Sequence, residues 1–112
     1  MSESVLDQEL VRELKEVMAD SFPALVDSFR SDSLTRLRDL EAACISNEAE
    51  EVRLLAHSFK GSSSNVGAMK VSMTCKEIEN LAVNEQLDVA LNLLSRLKNE
   101  LEESLTELEV GK

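Results

Sequence analysis

Residues 47–68 read NEAEEVRLLAHSFKGSSSNVGA, and this stretch, Asn47 to Ala68, decides how the rest of the chain is read. Laid out at about 100° per residue with His57 at zero, Leu55, Val66, Phe59 and Val52 fall at about 160°, 180°, 200° and 220°. That is one apolar stripe, so the stretch is an amphipathic helix buried on the side away from His57. Asn47 followed by Glu50 has the spacing of a capping box and predicts the start; Gly67 predicts the end, giving a helix over 48–66. By the same geometry Arg53, Lys60, Gly61 and Ser64 lie within about 60° of His57, and Leu54 sits about 60° away, off the core stripe. The exposed histidine has weak helix formers beside it. Gly61 costs roughly 1 kcal/mol against alanine in a helix interior. Ser62, Ser63 and Ser64 compete with the helix for backbone hydrogen bonds. Such residues inside a well-patterned helix point to a requirement other than stability, and close approach of another molecule beside the imidazole meets it.

Four more helices follow on either side. The first, about 7–19, places Leu6, Leu10, Leu14 and Val17 at helical spacing. Pro23 suits a first helical turn, and a second helix runs over 23–45 with Val26, Phe29, Leu37, Leu40 and Cys44 apolar and Ser33 interrupting the stripe. A helix over 70–83 carries Val71, Cys75, Ile78 and Ala82 on one face. The last, 85–110, has a seam of Ala90, Leu94, Leu97, Leu101 and Leu108 flanked by Leu87, Leu91 and Leu105, with Gly111 at its end. The connections are short, which favours antiparallel neighbours. The expected fold is all-α: an antiparallel up-down four-helix bundle with a short N-terminal helix capping one end. A length of 112 residues fits one domain, 1–112. Three Gly, one Pro and an aromatic share of 3% from Phe alone argue against a β-sandwich or barrel.

Charge and residue counts exclude several functions. Twelve basic against 22 acidic residues give net −10, which disfavours nucleic-acid phosphates and anionic membrane surfaces. No apolar run is long enough to span a bilayer, and the opening MSESVLDQEL lacks the regions of a secretory signal. Cys44 and Cys75 read as reduced thiols of a cytoplasmic protein. With His57 the single histidine, a di-metal carboxylate site is out of reach. The spacing of Cys44, His57 and Cys75 matches no common zinc motif, so no metal is expected. Gly61, Gly67 and Gly111 form neither a P-loop nor a dinucleotide fingerprint.

Lys60 supplies the chemical clue. One turn from His57, its ammonium can act as counter-charge to an anion on the imidazole; such a pair about 4 Å apart is worth between ~1 and ~4 kcal/mol, depending on screening. Residues 47–70 hold three acidic and three basic groups, whereas 1–46 and 71–112 each carry net −5. A phosphoryl group can therefore approach His57 without strong repulsion.

The segment Ala56-His57-Ser58-Phe59-Lys60-Gly61-Ser62-Ser63-Ser64-Asn65-Val66-Gly67-Ala68 resembles the signature of histidine-containing phosphotransfer (HPt) domains. That signature has a large apolar residue two positions after the histidine, then Lys, Gly, small residues, and Gly-Ala ten and eleven positions on. Length, helix pattern and acidity extend the resemblance over nearly the whole chain, with the stand-alone bacterial HptB type the most similar. The resemblance implies a multistep two-component phosphorelay, with His57 taking a phosphoryl group from an aspartate on the receiver domain of a hybrid sensor kinase. It would then pass the group to an aspartate on the receiver of a response regulator. It implies Lys60 as the phosphate-stabilising cation, no cofactor of the chain's own, and Mg²⁺ supplied by the partner receiver. It also implies that Glu79, 22 residues after the histidine, hydrogen-bonds the ring nitrogen that is not phosphorylated. Val83 stands where some relatives carry a further basic residue. Gly61, Ser64, Leu54 and Arg53 are the expected close-approach and docking residues, and the expected state is a monomer. The rival readings are a helical adaptor without phosphotransfer, which would tolerate loss of His57, and the phosphoacceptor bundle of a sensor kinase. The second is disfavoured because Ser58, not an acidic residue, follows His57 and no ATP-binding domain follows.

Overall fold

The computed structural model describes residues 4–110. Five α-helices and one 3₁₀ turn follow one another: α1 (Gln8–Met18), the turn Ala19–Ser21, α2 (Phe22–Ile45), α3 (Ala49–Asn65), α4 (Met69–Val83) and α5 (Leu87–Val110). The last four form a ring in which α2 packs on α3, α3 on α4, α4 on α5 and α5 on α2. This is an all-α, up-down four-helix bundle.

Its three reversals share one construction. At the end of α2 the Asn47 N–H donates to the Cys44 carbonyl and the Glu48 N–H to the Ala43 carbonyl. At the end of α3 the Gly67 N–H reaches Ser64 and the Ala68 N–H reaches Ser63; at the end of α4 the Glu85 N–H reaches Ala82 and the Gln86 N–H reaches Leu81. Each is a Schellman motif, with Asn47, Gly67 and Glu85 at φ of 57°, 79° and 57°. The next helix begins immediately afterwards, so the chain folds back within three residues. This corrects one expectation: Asn47 does not cap α3. It ends α2 in the left-handed conformation that asparagine tolerates, and Glu48 precedes α3 without a side-chain cap.

The core is mostly aliphatic, with all three phenylalanines in it. Val26, Phe29, Leu40, Val52, Phe59, Val71, Ile78, Leu97, Leu101 and Leu108 are all buried, and Leu91 is half-buried at the rim. Ser33, which the sequence pattern treats as a gap in the α2 stripe, is itself fully buried, as are Ser63 and Ser104; Thr74 is nearly so. Each of the four bundle helices thus contributes one small hydroxyl residue to the interior.

Asp7 caps α1 by accepting from the Leu10 N–H, and the segment before it is tied to the α3–α4 turn. The Asp7 N–H donates to the Gly67 carbonyl at 2.8 Å, and the Lys70 N–H donates to Val5 at 3.3 Å. This anchoring sets the roll of α1 so that Val11 lies over Gly67. Val5, Leu6 and Val11 are buried with Leu14 and Met18 against them, whereas Val17 is 83% exposed, contrary to its expected place in the apolar stripe. Gly111 lies outside the described residues. No helix among the described residues is long and apolar enough to cross a membrane.

Candidate functional site

His57 and Glu79 each stand eleven residues from Ala68 in the α3–α4 turn, on opposite sides of it. Eleven residues make about three helical turns, so in an antiparallel pair both side chains return to the same seam. They meet there: His57 Nδ1 lies 2.9 Å from Glu79 Oε2. The second carboxylate oxygen, Oε1, accepts from Lys60 Nζ at 3.0 Å. One glutamate therefore holds the histidine and the lysine together. The His57 side chain is 63% exposed while that of Glu79 is only 16% exposed, so the imidazole stands at the surface on a mostly covered base.

The charge state of Glu79 determines the tautomer of His57. Burial pushes the Glu79 carboxyl up, but hydrogen bonds from Lys60 and His57, with their charges, more than offset this and hold it below the ordinary value. At neutral pH it is a carboxylate and can only accept. Nδ1 must then carry the proton, and in the neutral ring the lone pair sits on Nε2. Among the described residues Nε2 has no hydrogen-bond partner.

The other residues singled out from the sequence separate into two groups. Gly61 is exposed, and a Cβ built there would find nothing within 4 Å. No intramolecular packing requires glycine at this position. Leu54 is 49% exposed on the same side. Arg53 is half-buried and held by two hydrogen bonds to Glu50, at 2.8 and 2.7 Å. The serines, by contrast, turn into the chain or bond within it, Ser63 with its buried Oγ unpartnered. Ser62 Oγ donates to the Phe59 carbonyl, and Ser63 is in the core. Ser64 Oγ lies 2.7 Å from Ser72 Oγ, and Ser72 also donates to the Lys60 carbonyl. Ser64 is therefore a latch between α3 and α4 before it is anything else, and Ser72, which sequence reasoning passed over, completes that latch. Arg36 of α2, also passed over, reaches Ser58 beside His57 at 3.3 Å. The spacing of Ser64 and Ser72, four residues on each side of Ala68, carried the signal.

The family model for the Hpt domain matches residues 24–107. The chain belongs to the Hpt domain family. Two solved structures are similar to this Hpt protein. Histidine-containing phosphotransfer protein B (HptB) from Pseudomonas aeruginosa PAO1 is similar at 38% identity over 98% of this chain and 96% of that one, with a TM-score of 0.91. The histidine-containing phosphotransfer protein ZmHP2 from maize shares the fold at 24% identity, covering 96% of this chain and 88% of that one, with a TM-score of 0.85. Among curated proteins no relative matches. Membership makes this Hpt chain a histidine phosphotransfer protein of phosphorelay signalling.

Two further features bear on the site of this Hpt protein. Among the described residues no group of three or more His, Cys, Asp or Glu could hold a metal ion. Both cysteines are buried, and burial, with Glu100 adding to it, pushes the Cys75 thiol up to about 12.

Proposed function

We propose that His57 is the phosphoacceptor and that it shuttles a phosphoryl group between receiver-domain aspartates. The observation that carries this reading is the Nδ1–H···Glu79 hydrogen bond, which leaves the Nε2 lone pair at an exposed surface. In the forward step this lone pair attacks phosphorus of an aspartyl phosphate. The N–P bond forms as the acyl P–O bond breaks, and the aspartate leaves as a carboxylate. The positive charge gained by the ring is balanced by the Glu79 carboxylate, and Nδ1 keeps its proton throughout. Lys60, held at Glu79 beside the ring, is near enough to share its charge with the arriving phosphoryl oxygens. Transfer to the second receiver is the same step in reverse.

In this reading the chain needs no cofactor of its own, and the receiver brings Mg²⁺ with its own acidic site. The receivers belong to a hybrid sensor kinase and a response regulator, and they dock on the exposed surface formed by Leu54, Arg53 and Gly61, with Ser64 at its margin. The protein works in the cytoplasm as a monomer, the domain being residues 1–112. The test is transfer of label from a panel of phosphorylated receiver domains to wild type and to His57→Gln. Label should pass to wild type only, and be lost in acid and kept in base, as a phosphoramidate requires. Labelling of His57→Gln would reject His57 as acceptor, and failure of every receiver to label wild type would favour a helical adaptor.

A further inference from the structure

The seam between α2 and α5 lies on the side of the bundle opposite the α3–α4 seam that holds His57, because the four helices form a ring. It contains a groove of about 940 Å³. Its α2 wall follows Leu34, Arg38, Glu41 and Ile45, spaced as one helical ridge; Leu91 and Lys98 stand on the α5 wall. Leu34 is 53% exposed and Ile45 69% exposed, while Leu94 is buried at the floor. The apolar stripe of α2 enters the core through Val26, Phe29 and Leu40, whereas the outward ridge carries exposed Leu34 and Ile45 at its two ends with Arg38 and Glu41 between them.

The charges on this face distinguish it from an ordinary inter-helix furrow. In a chain of net −10, the groove presents Arg38 on one wall and Lys98 on the other against Glu41 alone. Neither Arg38 nor Lys98 makes an ion pair or side-chain hydrogen bond among the described residues, a state they share with Arg12, Lys15, Lys70 and Lys76, but these two stand on opposite walls of one groove. Two unpaired cations flanking an apolar trough suit a helix whose apolar stripe is bordered by carboxylates. A second copy of this chain fits poorly. Face-to-face pairing would bring two surfaces of the same sign together, and with them two chains of net −10.

We propose that the α2–α5 groove is a docking site for an acidic amphipathic helix of another protein. A partner seated there leaves His57 uncovered, so it can hold this protein in place while receivers come and go on the far side.

The intact protein, ¹⁵N-labelled, is titrated with two synthetic amphipathic helices of identical leucine stripe, one flanked by glutamates and the other by lysines. The glutamate peptide should bind, with amide shifts confined to residues 31–45 and 91–98. The double variant Arg38→Glu/Lys98→Glu should bind it at least about tenfold more weakly and come to prefer the lysine peptide, since two rim charges reverse sign. Leu34→Glu should abolish binding of both peptides while labelling of His57 by a phosphorylated receiver stays as in wild type. Equal affinity for the two peptides in wild type, shifts centred on α3–α4, or no binding of either peptide overturns the proposal. So does concentration-dependent dimerisation that Leu34→Glu removes, because the groove would then be taken by a second copy.

Discussion

The two glycines of the signature should respond to the same substitution with opposite signs. Gly61 lies in the middle of α3, and a methyl group added there meets no atom within 4 Å. Gly61→Ala therefore keeps every contact and removes the helix-propensity penalty of glycine, about 1 kcal/mol. For a domain of this size that corresponds to a rise in Tm of roughly 3–6 °C. Gly67 has φ of +79°, and its Cβ would stand 2.9 Å from Val11 Cγ2 and 3.4 Å from the Asp7 carbonyl oxygen. Gly67→Ala takes on the left-handed penalty of roughly 1–2 kcal/mol and displaces α1 as well. Its Tm should fall by several degrees. If Gly61 is kept only because a receiver must come close to His57, stability and transfer must separate at this position. Gly61→Lys should fold at least as well as wild type by circular dichroism and melt no lower, yet accept phosphoryl groups at least about a hundredfold more slowly. The reacting atoms can no longer reach in-line distance past a lysine side chain, and a misplacement of about 1 Å already costs on that order. Thermal melts of the three variants and rapid-quench transfer from a phosphorylated receiver decide the matter. A Gly61→Ala variant that melts below wild type, or a Gly61→Lys variant that transfers normally, would refute the close-approach reasoning.

Leu54→Glu should slow receiver-to-His57 transfer severalfold by placing a carboxylate on the docking surface, with an unchanged melting curve; normal transfer kinetics would remove Leu54 from that surface. Glu79 links stability to pH. Its folded-state carboxyl lies below the ordinary value of 4.5, so its contribution is complete above about pH 4.5 and is lost as pH falls through the folded value. Urea unfolding of wild type and Glu79→Gln should accordingly differ most at neutral pH and converge in acid; a difference that grows in acid would contradict the ion-paired carboxylate. Cys75 should stay unmodified by a thiol reagent at pH 8 until the protein unfolds, because burial keeps its thiol protonated; fast labelling of native Cys75, read by mass spectrometry against Cys75→Ala, would show that α4 opens locally.

Which parts of this protein could be read from the sequence depends on how local their cause is. The helices and their order follow from apolar spacing, and the α3 motif makes His57, Lys60 and Gly61 stand out because a glycine beside an exposed histidine has no local benefit. The roll of α1 was not legible. Leu10 and Val17 satisfy a helical period as well as Val11 and Met18 do, and only the hydrogen bonds of Val5 and Asp7 to the Gly67 turn select between the two faces. Asn47 was misread for a related reason. An N-cap and a Schellman residue both favour asparagine, and the backbone conformation alone separates them. The three serines show the limit most clearly. Read locally, Ser62, Ser63 and Ser64 share one motive with Gly61, an open surface for a partner. In the fold they bond to the helix backbone, enter the core and cross to Ser72 respectively. Gly61 is left to carry close approach, because it is exposed in mid-helix and a Cβ there would meet no atom of the chain.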